Sequence, residues 1–151
     1  KSNKEQGLKA VVAQNLDELK RLTESVLANP HRSRGKVIIR ELVSLRCVYQ
    51  AVDEFPISRE YRVFVHRNEV IAYSFYWDEF EDVEPLSSQD KRLMLSLALE
   101  TAARLQVPFI AVDLAQTADG NWIVIETGDA QFCGLSHVPV LELWSKIKDF
   151  G

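Results

Sequence analysis

Two kinds of hydrophobic pattern alternate along this chain of 151 residues. In some stretches apolar and polar residues alternate one by one, which is typical of half-buried strands, and in others apolar residues recur every three or four positions, which is typical of helices. The pattern predicts, in chain order, a helix from Asn15, a strand over 37–45, a hairpin of strands 60–65 and 69–76 joined through His66, Arg67 and Asn68, a helix capped at Ser87 that runs to Leu105, a hairpin of strands 109–115 and 121–127, and a helix opened by Pro139.

This order predicts an α+β fold: a mainly antiparallel sheet with helices packed on one side. The helix behind Ser87 is expected to present one wide apolar face to the sheet, formed by Leu93, Leu97, Ala98, Ala102 and Leu105. The last helix is expected to do the same with Leu141, Trp144 and Ile147. Neither a repeat nor a low-complexity tract interrupts the chain, so one domain over 1–151 is expected.

The hairpin predicted over 109–127 carries two carboxylates on one face. Asp119 and Gly120 are a strong signal for a tight turn. If they are the two central turn residues, counting outwards pairs Asp113 with Glu126, and the alternation of side chains puts both on the same face. The opposite face, made of Val112, Leu114, Ile123 and Ile125, is then expected to belong to the core.

Two carboxylates directly opposite each other in a sheet repel. A hard cation such as Mg²⁺ offsets this repulsion, because it takes one or two carboxylates together with phosphate oxygens. An alternative of similar weight is that Asp113 and Glu126 lie on a solvated face or pair with basic residues. The stretch that follows favours a ligand, because Gly128 and Gly134 permit unusual backbone angles or close approach, and Asp129 could return to the same site.

The predicted strand over 37–45, VIIRELVSL, is apolar enough to be buried but contains Arg40 and Glu41. Charged groups in such a setting destabilise the fold unless they are paired or bind something, so both are candidates for function.

Charge and cysteine content exclude several classes of protein. Eighteen basic and 22 acidic residues give a net charge of −4, without the basic excess of a dedicated nucleic-acid binder. No apolar run approaches the roughly 20 residues that cross a bilayer. Cys47 and Cys133 are too few for a disulfide framework and predict free thiols in a reducing compartment, which favours the cytoplasm.

Three short motifs resemble the ATP-grasp superfamily, in particular the C-terminal, nucleotide-binding part of divergent members. These are VIIRELV, EYRVFV and ETGDAQFCGL, and the similarity covers nearly the whole chain. The first resembles the strand and linker that receive adenine, which implies that Glu41, Leu42 and Val43 lie at the adenine edge. The second resembles the next strand, which implies that Arg62 reaches phosphate or substrate.

The resemblance also implies a set of metal ligands. Asp113 and Glu126 resemble the two magnesium-binding acids of the family, in agreement with the register argument. The family pattern has an asparagine where this chain has Gly128, and the neighbouring Asp129 is the expected substitute ligand.

A further set of residues is implied to bind phosphate. The family's phosphate-binding lysine would be Lys1, followed by a glycine-containing flap over 2–7 that includes Lys4. Arg40 and Arg62 would add positive charge at the transferred phosphoryl group. The N-terminal subdomain of the complete ATP-grasp fold is not expected in this chain.

The implied activity is ATP- and Mg²⁺-dependent ligation, in which a carboxylate attacks the γ-phosphate and an amine or similar nucleophile captures the resulting acylphosphate. The acceptor is expected to be a small molecule or a peptide. A second hypothesis is a nucleotide-binding or protein-interaction domain that keeps the fold without ligase activity. A metal-dependent phosphoesterase is disfavoured, because no histidine or further acid cluster completes a two-metal site. Neither the acceptor nor the oligomeric state follows from the sequence.

Overall fold

The structure, a computed structural model, describes residues 12–50, 56–80 and 84–148. The chain forms two compact units, one of Lys1–Val43 with Gln50–Pro56 and the other of Ser44–Tyr49 with Ile57–Gly151. Each unit is considered by itself below. The expectation of one domain that lacks an N-terminal subdomain stays a prediction.

Two helices form the described secondary structure of the first unit, α1 (Leu16–Leu27) and α2 (Pro30–Ser33). The predicted start of α1 is confirmed: the Asn15 side chain accepts a hydrogen bond of 2.9 Å from the backbone N–H of Glu18. This cap satisfies one of the backbone N–H groups that a helix N-terminus leaves without a partner.

The predicted buried strand over 37–45 is wrong. Residues 37–44 belong to no strand, and Ile38 is 86% exposed. A strand needs a hydrogen-bonded neighbour along its length, and within the described residues of this stretch only Leu45 forms a β-bridge, with Thr117. Apolar character alone therefore did not produce a strand here.

The second unit contains the sheet. Its elements are β1 (Cys47–Tyr49), β2 (Ile57–Ser58), β3 (Glu60–His66), β4 (Glu69–Phe75), α3 (Ser88–Leu105), β5 (Phe109–Gln116), β6 (Trp122–Asp129) and α4 (Val140–Lys148). The strands β4-β3-β5-β6 lie in this spatial order with every neighbouring pair antiparallel, and β1 pairs with β2 in a separate antiparallel ladder. The predicted α+β class with an antiparallel sheet is confirmed.

The β3–β4 hairpin turns on two residues rather than three. Arg67 and Asn68 have φ angles of 47° and 66°, the combination that a tight hairpin turn of type I′ requires. His66 is therefore the last residue of β3, where it pairs with Glu69 on one side and Phe109 on the other.

Helix α3 covers one face of the sheet, and its N-cap is Ser87 as predicted. Its buried residues are Met94, Ala98 and Ala102, which pack against Val63, Val65, Val112 and Leu114. The predicted face is corrected by a rotation, since Leu93 and Leu105 are exposed. Apolar residues occur on more than one side of this helix, and only the fit to the sheet selects the buried side.

Helix α4 and the preceding loop lie against the opposite face of the sheet. The apolar cluster there consists of Phe64, Ile71, Ala72, Ala111, Ala130, Val138 and Leu143. Leu143 is 6% exposed while Leu141 is 80% exposed, and Trp144 also faces outwards, so the predicted face of this helix is wrong for two of its three residues. The pattern predicted helices on one side, and the structure has α3 and α4 on opposite faces.

Candidate functional site

The turn between β5 and β6 is one residue longer than predicted. Thr117 donates its backbone N–H to Asn121 O at 2.8 Å, and Gly120 N–H binds Thr117 O at 2.9 Å. The loop therefore consists of residues 118–120, with Gly120 at φ 92°. Such three-residue loops characteristically place a left-handed residue near their end. Next to this loop the strands pair one residue out of the predicted register.

A bulge in β6 restores the predicted register. Leu114 pairs with Val124, and Asp113, the preceding residue of β5, pairs with Glu126. Ile125 is therefore the extra residue of β6, as in a β-bulge. The predicted pairing of Asp113 with Glu126 is confirmed, although it results from a longer turn and a bulge that offset each other.

The bulge changes which residues of β6 reach the core. Trp122 and Val124 pack into the cluster beneath α3 together with Leu114, in place of the predicted Ile123 and Ile125. One residue of offset moves a side chain to the other face of a strand, because the alternation has a period of two.

Arg62, Asp113 and Glu126 lie side by side across β3, β5 and β6, and we call them the charged row. Arg62 donates from Nε to Asp113 Oδ1 and from Nη2 to Asp113 Oδ2, both at 2.8 Å. Its third group, Nη1, donates to Gly134 O at 2.8 Å, and its Cζ lies 4.8 Å from the centre of the Tyr76 ring. The guanidinium is thus held by two loops and two strands.

The charged row sets the protonation of its neighbours. Burial alone lowers the pKa of Arg62, but the hydrogen bonds and negative charge of Asp113 outweigh it and raise the pKa above its ordinary value. Burial and then the charge of Asp113 raise the pKa of Tyr76. Burial likewise raises the pKa of Cys133, which disfavours a reactive thiolate there. At neutral pH the arginine is charged and its two neighbours are neutral.

Asp129 is not brought together with the other two predicted metal ligands. It pairs with Ile110, whose side chain belongs to the core beneath α3, so the alternation of β5 and β6 puts Asp129 on the other face from Asp113. Its Oδ1 accepts a hydrogen bond of 2.9 Å from Gln131 N–H. In the ranges that the structure describes, no group of three or more His, Cys, Asp or Glu residues could hold a metal ion.

The remaining predicted ligands lie elsewhere. Arg40, Glu41, Leu42 and Val43 belong to the first compact unit, in the exposed stretch that forms no strand, whereas the charged row belongs to the second. Lys1 and Lys4 lie outside the described residues. The nucleotide-binding roles of these residues stay predictions.

Comparison with protein families decides the relationship. A family model described as an ATP-grasp domain, the third family of its clade, matches residues 4–147. The chain belongs to the ATP-grasp superfamily. This match covers nearly the whole chain and confirms the family resemblance of its motifs. No curated protein matches the chain.

Solved structures with a similar arrangement include two of the ATP-grasp ligase PsnB. The complex with minimal precursor, Mg and ADP has 20% identity and a TM-score of 0.42, over 61% of this chain and 33% of PsnB. The complex with precursor peptide PsnA2 and AMPPNP has 22% identity and a TM-score of 0.42, over 60% and 32%. The macrocyclase MdnB from Microcystis aeruginosa MRC has 14% identity and a TM-score of 0.48, over 93% and 48%. This ATP-grasp chain spans about a third of PsnB and about half of MdnB.

Asp113 and Glu126 are the residues of this ATP-grasp domain that could hold a divalent cation. Mg²⁺ usually binds through one or two carboxylates and completes its shell with water and phosphate oxygens. Glu126 is exposed, and Asp113 keeps lone pairs beyond the two that Arg62 uses, because each carboxylate oxygen accepts more than one bond. The chemistry of this pair of adjacent carboxylates therefore fits the ion.

One buried residue near the site escaped the sequence argument. Arg59 is 1% exposed, and its Nη1 donates to Gln116 Oε1 at 2.8 Å while Nη2 donates to the carbonyls of Glu84 and Pro85 at 3.0 and 3.3 Å. Arg59 also lies 3.6 Å from Asp90. Its only sequence signal is an arginine next to a strand start, which ordinarily indicates an exposed residue.

The described part of this ATP-grasp chain also bears on membrane association. None of its helices has both the length and the apolar character needed to cross a bilayer.

Proposed function

We propose that this ATP-grasp domain binds Mg²⁺ and ATP as the nucleotide-binding part of an ATP-dependent ligase, with Asp113 and Glu126 as the metal ligands. The observation that carries the proposal is the charged row, in which two adjacent carboxylates and a fixed arginine share one face of the sheet. Membership in the ATP-grasp family supports the same assignment.

In this proposal Arg62 positions the site and contributes to phosphate binding. Its three observed contacts fix the guanidinium, and the N–H groups they leave unused are available to a phosphate oxygen. A bound Mg²⁺ would supply neutralisation of the phosphate charge. Arg40, Lys1 and Lys4 are proposed to add positive charge at the phosphates, and residues 41–43 to contact adenine.

The proposed reaction has two steps. A carboxylate oxygen of one substrate attacks the γ-phosphorus of ATP, so that ADP leaves and an acylphosphate forms. An amine or similar nucleophile then attacks the acyl carbon, and inorganic phosphate leaves. Phosphoryl transfer of this kind depends mainly on positioning and electrostatic stabilisation rather than on a protein nucleophile. The acceptor is proposed to be a small molecule or a peptide, and the location cytoplasmic.

A second candidate is a domain that binds nucleotide or another protein but catalyses no ligation. One observation favours it: both oxygens of Asp113 are engaged by Arg62, and Asp129 lies on the other face of the sheet, so the third predicted ligand is not adjacent to the first two. Such a site would bind the ion more weakly than a three-ligand one.

Titration of ATP with and without Mg²⁺ tests the metal ligands. The informative variant is Glu126→Gln, because Glu126 is exposed and its change leaves the Arg62–Asp113 pair intact. Glu142→Gln is the matched control, since Glu142 is an exposed glutamate on α4 that pairs with Lys146. We expect the native chain and the control to bind ATP more tightly with Mg²⁺, and Glu126→Gln to lose roughly tenfold of this gain, as for one lost charge-assisted contact.

Two outcomes separate the candidates. Native protein that shows no Mg²⁺-dependent gain would overturn the metal assignment. Native protein that binds Mg²⁺ and ATP but releases no ADP with a panel of carboxylates and amines would favour the non-catalytic domain. ADP release that depends on both a carboxylate and an amine would support the ligase.

A further inference from the structure

A cleft of about 320 Å³ opens beside the charged row, and the proposed metal site does not use it. We call it the aromatic cleft. The residues that define it are Arg62, Tyr76, Trp77, Asp78, Glu79 and Phe80. It combines aromatic rings with two carboxylates in a single concave surface of the second unit. Binding sites for small groups typically combine apolar walls with a few polar groups in this way.

The excess charge of the aromatic cleft is negative. The positive charge of Arg62 is already matched by Asp113, through two hydrogen bonds of 2.8 Å. Asp78 and Glu79 are exposed, and no basic side chain among the described residues forms an ion pair with either. An anion is therefore repelled from this cleft, whereas a cation gains two carboxylates that are not otherwise neutralised.

The aromatic residues favour the same kind of ligand. Tyr76 and Trp77 meet edge to face with ring centres 5.2 Å apart, and Tyr76 already stacks on the Arg62 cation. The Trp77 indole N–H is donated to Ser58 O at 3.0 Å, so this residue offers a ligand the surface of its ring rather than a hydrogen bond. Aromatic rings attract cations through the negative face of the π-system.

His137 fastens the segment that carries the two acids. Its Nε2 lies 2.9 Å from Trp77 O and 3.0 Å from Phe80 O. Both oxygens only accept hydrogen bonds, so Nε2 carries the proton and donates to them. Asp78 and Glu79 lie between these two anchored residues and are held beside the cleft before any ligand arrives, which lowers the entropy lost on binding.

We propose that the aromatic cleft binds an organic ammonium group of the acceptor. The two carboxylates supply the charge, and the rings of Tyr76, Trp77 and Phe80 surround the methylene groups next to the nitrogen. The cleft alone carries the ammonium assignment, and the word acceptor rests on the proposed ligase function. The same chemistry could come from a free amine or from a lysine side chain in a peptide.

The test is a titration of the full chain with n-butylammonium and with the peptide Gly-Gly-Lys-Gly-Gly, observed through the Trp77 indole N–H signal in ¹H–¹⁵N spectra. Neutral 1-butanol is the ligand control. The informative variant is Asp78→Asn/Glu79→Gln, and Glu100→Gln/Glu142→Gln is matched to it because both of its glutamates are exposed on helices. We expect binding of the cations, roughly tenfold weaker in the informative variant, unchanged in the matched one, and weakened by salt.

The ligand arms identify the source. Binding of n-butylammonium supports a free amine, and binding of the peptide alone supports a lysine side chain. Equal binding to native protein and to the Asp78→Asn/Glu79→Gln variant overturns the proposal, as does equal binding of 1-butanol or no response to either cation at low salt. Displacement of the cation by Mg²⁺ and ATP also overturns it, because the cleft would then belong to the nucleotide site.

The same samples, titrated with Mg²⁺ and ATP, distinguish the two proposals. If native protein binds ammonium but not Mg²⁺ and ATP, the proposed function fails while the ammonium site stands. If native protein binds Mg²⁺ and ATP but not ammonium, the ammonium site fails while the nucleotide site stands.

Discussion

Arg62 binds Asp113 through two parallel hydrogen bonds of 2.8 Å that cross from β3 to β5, and 12% and 6% of the two side chains are exposed. Bidentate pairs of this type are among the stronger charge-assisted hydrogen bonds in proteins. The pair joins the two central strands of the sheet and leaves Glu126 as the exposed carboxylate of the charged row. Stability and site geometry therefore depend on the same contact.

Asp113→Ala is expected to destabilise the chain by about 3–5 kcal/mol, because it leaves the buried Arg62 charge without its partner. The free energy of unfolding in urea measures this. Glu100→Ala removes an exposed partner of Arg104 on α3 and is expected to cost about 0.5 kcal/mol or less. The double variant Arg62→Met/Asp113→Leu is expected to recover much of the loss. A cost for Asp113→Ala as small as that for Glu100→Ala would show that the pair does not hold the sheet together.

Gly120→Ala and Gly128→Ala form a matched pair for the turn. Gly120 has φ 92°, a conformation that strains any residue with a Cβ, so alanine there is expected to cost about 1 kcal/mol. Gly128 has open space around its Cβ position and no such φ, so alanine is expected to change stability by no more than about 0.5 kcal/mol. Thermal unfolding of both variants measures the difference, and equal effects would contradict the three-residue loop.

Leu143→Ala and Leu141→Ala test which side of α4 is buried. Leu143 contributes to the cluster around Phe64, so its truncation is expected to cost about 2–5 kcal/mol. Leu141 is mostly exposed, and its truncation is expected to cost less than about 0.5 kcal/mol. Urea unfolding of the two variants gives both values. The reverse order of costs would restore the face that the sequence pattern predicted.

Asp90 is expected to make stability depend on acid pH. Partial burial raises its pKa, but hydrogen bonds from Ser87, Trp122 and Gln116 and the charge of Arg59 outweigh burial, so that the net pKa lies below the ordinary value of 3.8. The unfolded state therefore takes up a proton first as pH falls. The stability from this charge is present above pH 3.8 and is lost as pH falls below it through the folded-state pKa.

Asp90→Asn checks this because it removes the charge and keeps a side-chain oxygen that can accept hydrogen bonds. Unfolding free energies of native protein and variant, measured from about pH 7 to about pH 2.5, should differ by a constant amount near neutrality and converge below pH 3.8. A difference that does not change with pH would mean that the Asp90 charge is not stabilised in the folded state.

Much of the candidate site could be predicted from local signals. Alternation and turn residues located both hairpins, and Asp113 and Glu126 were paired from the sequence alone. Yet Asp119–Gly120 predicted a two-residue turn, and the structure has three residues there with Ile125 bulged in β6. A turn signal does not report loop length to one residue, and a bulge has no reliable signature, because both depend on how the strands pack against α3 and the loop before α4.

What the sequence by itself determined about this ATP-grasp chain is the set of features that arise between near neighbours: the α+β class, the caps of α1 and α3, and the two carboxylates on one face. Only the tertiary structure decided which sides of α3 and α4 are buried and that Arg62 occupies both oxygens of Asp113. Those two residues are 51 positions apart in the chain. Their contact exists because β3 lies next to β5 in the sheet, and this strand order follows from packing of the whole core rather than from any local pattern.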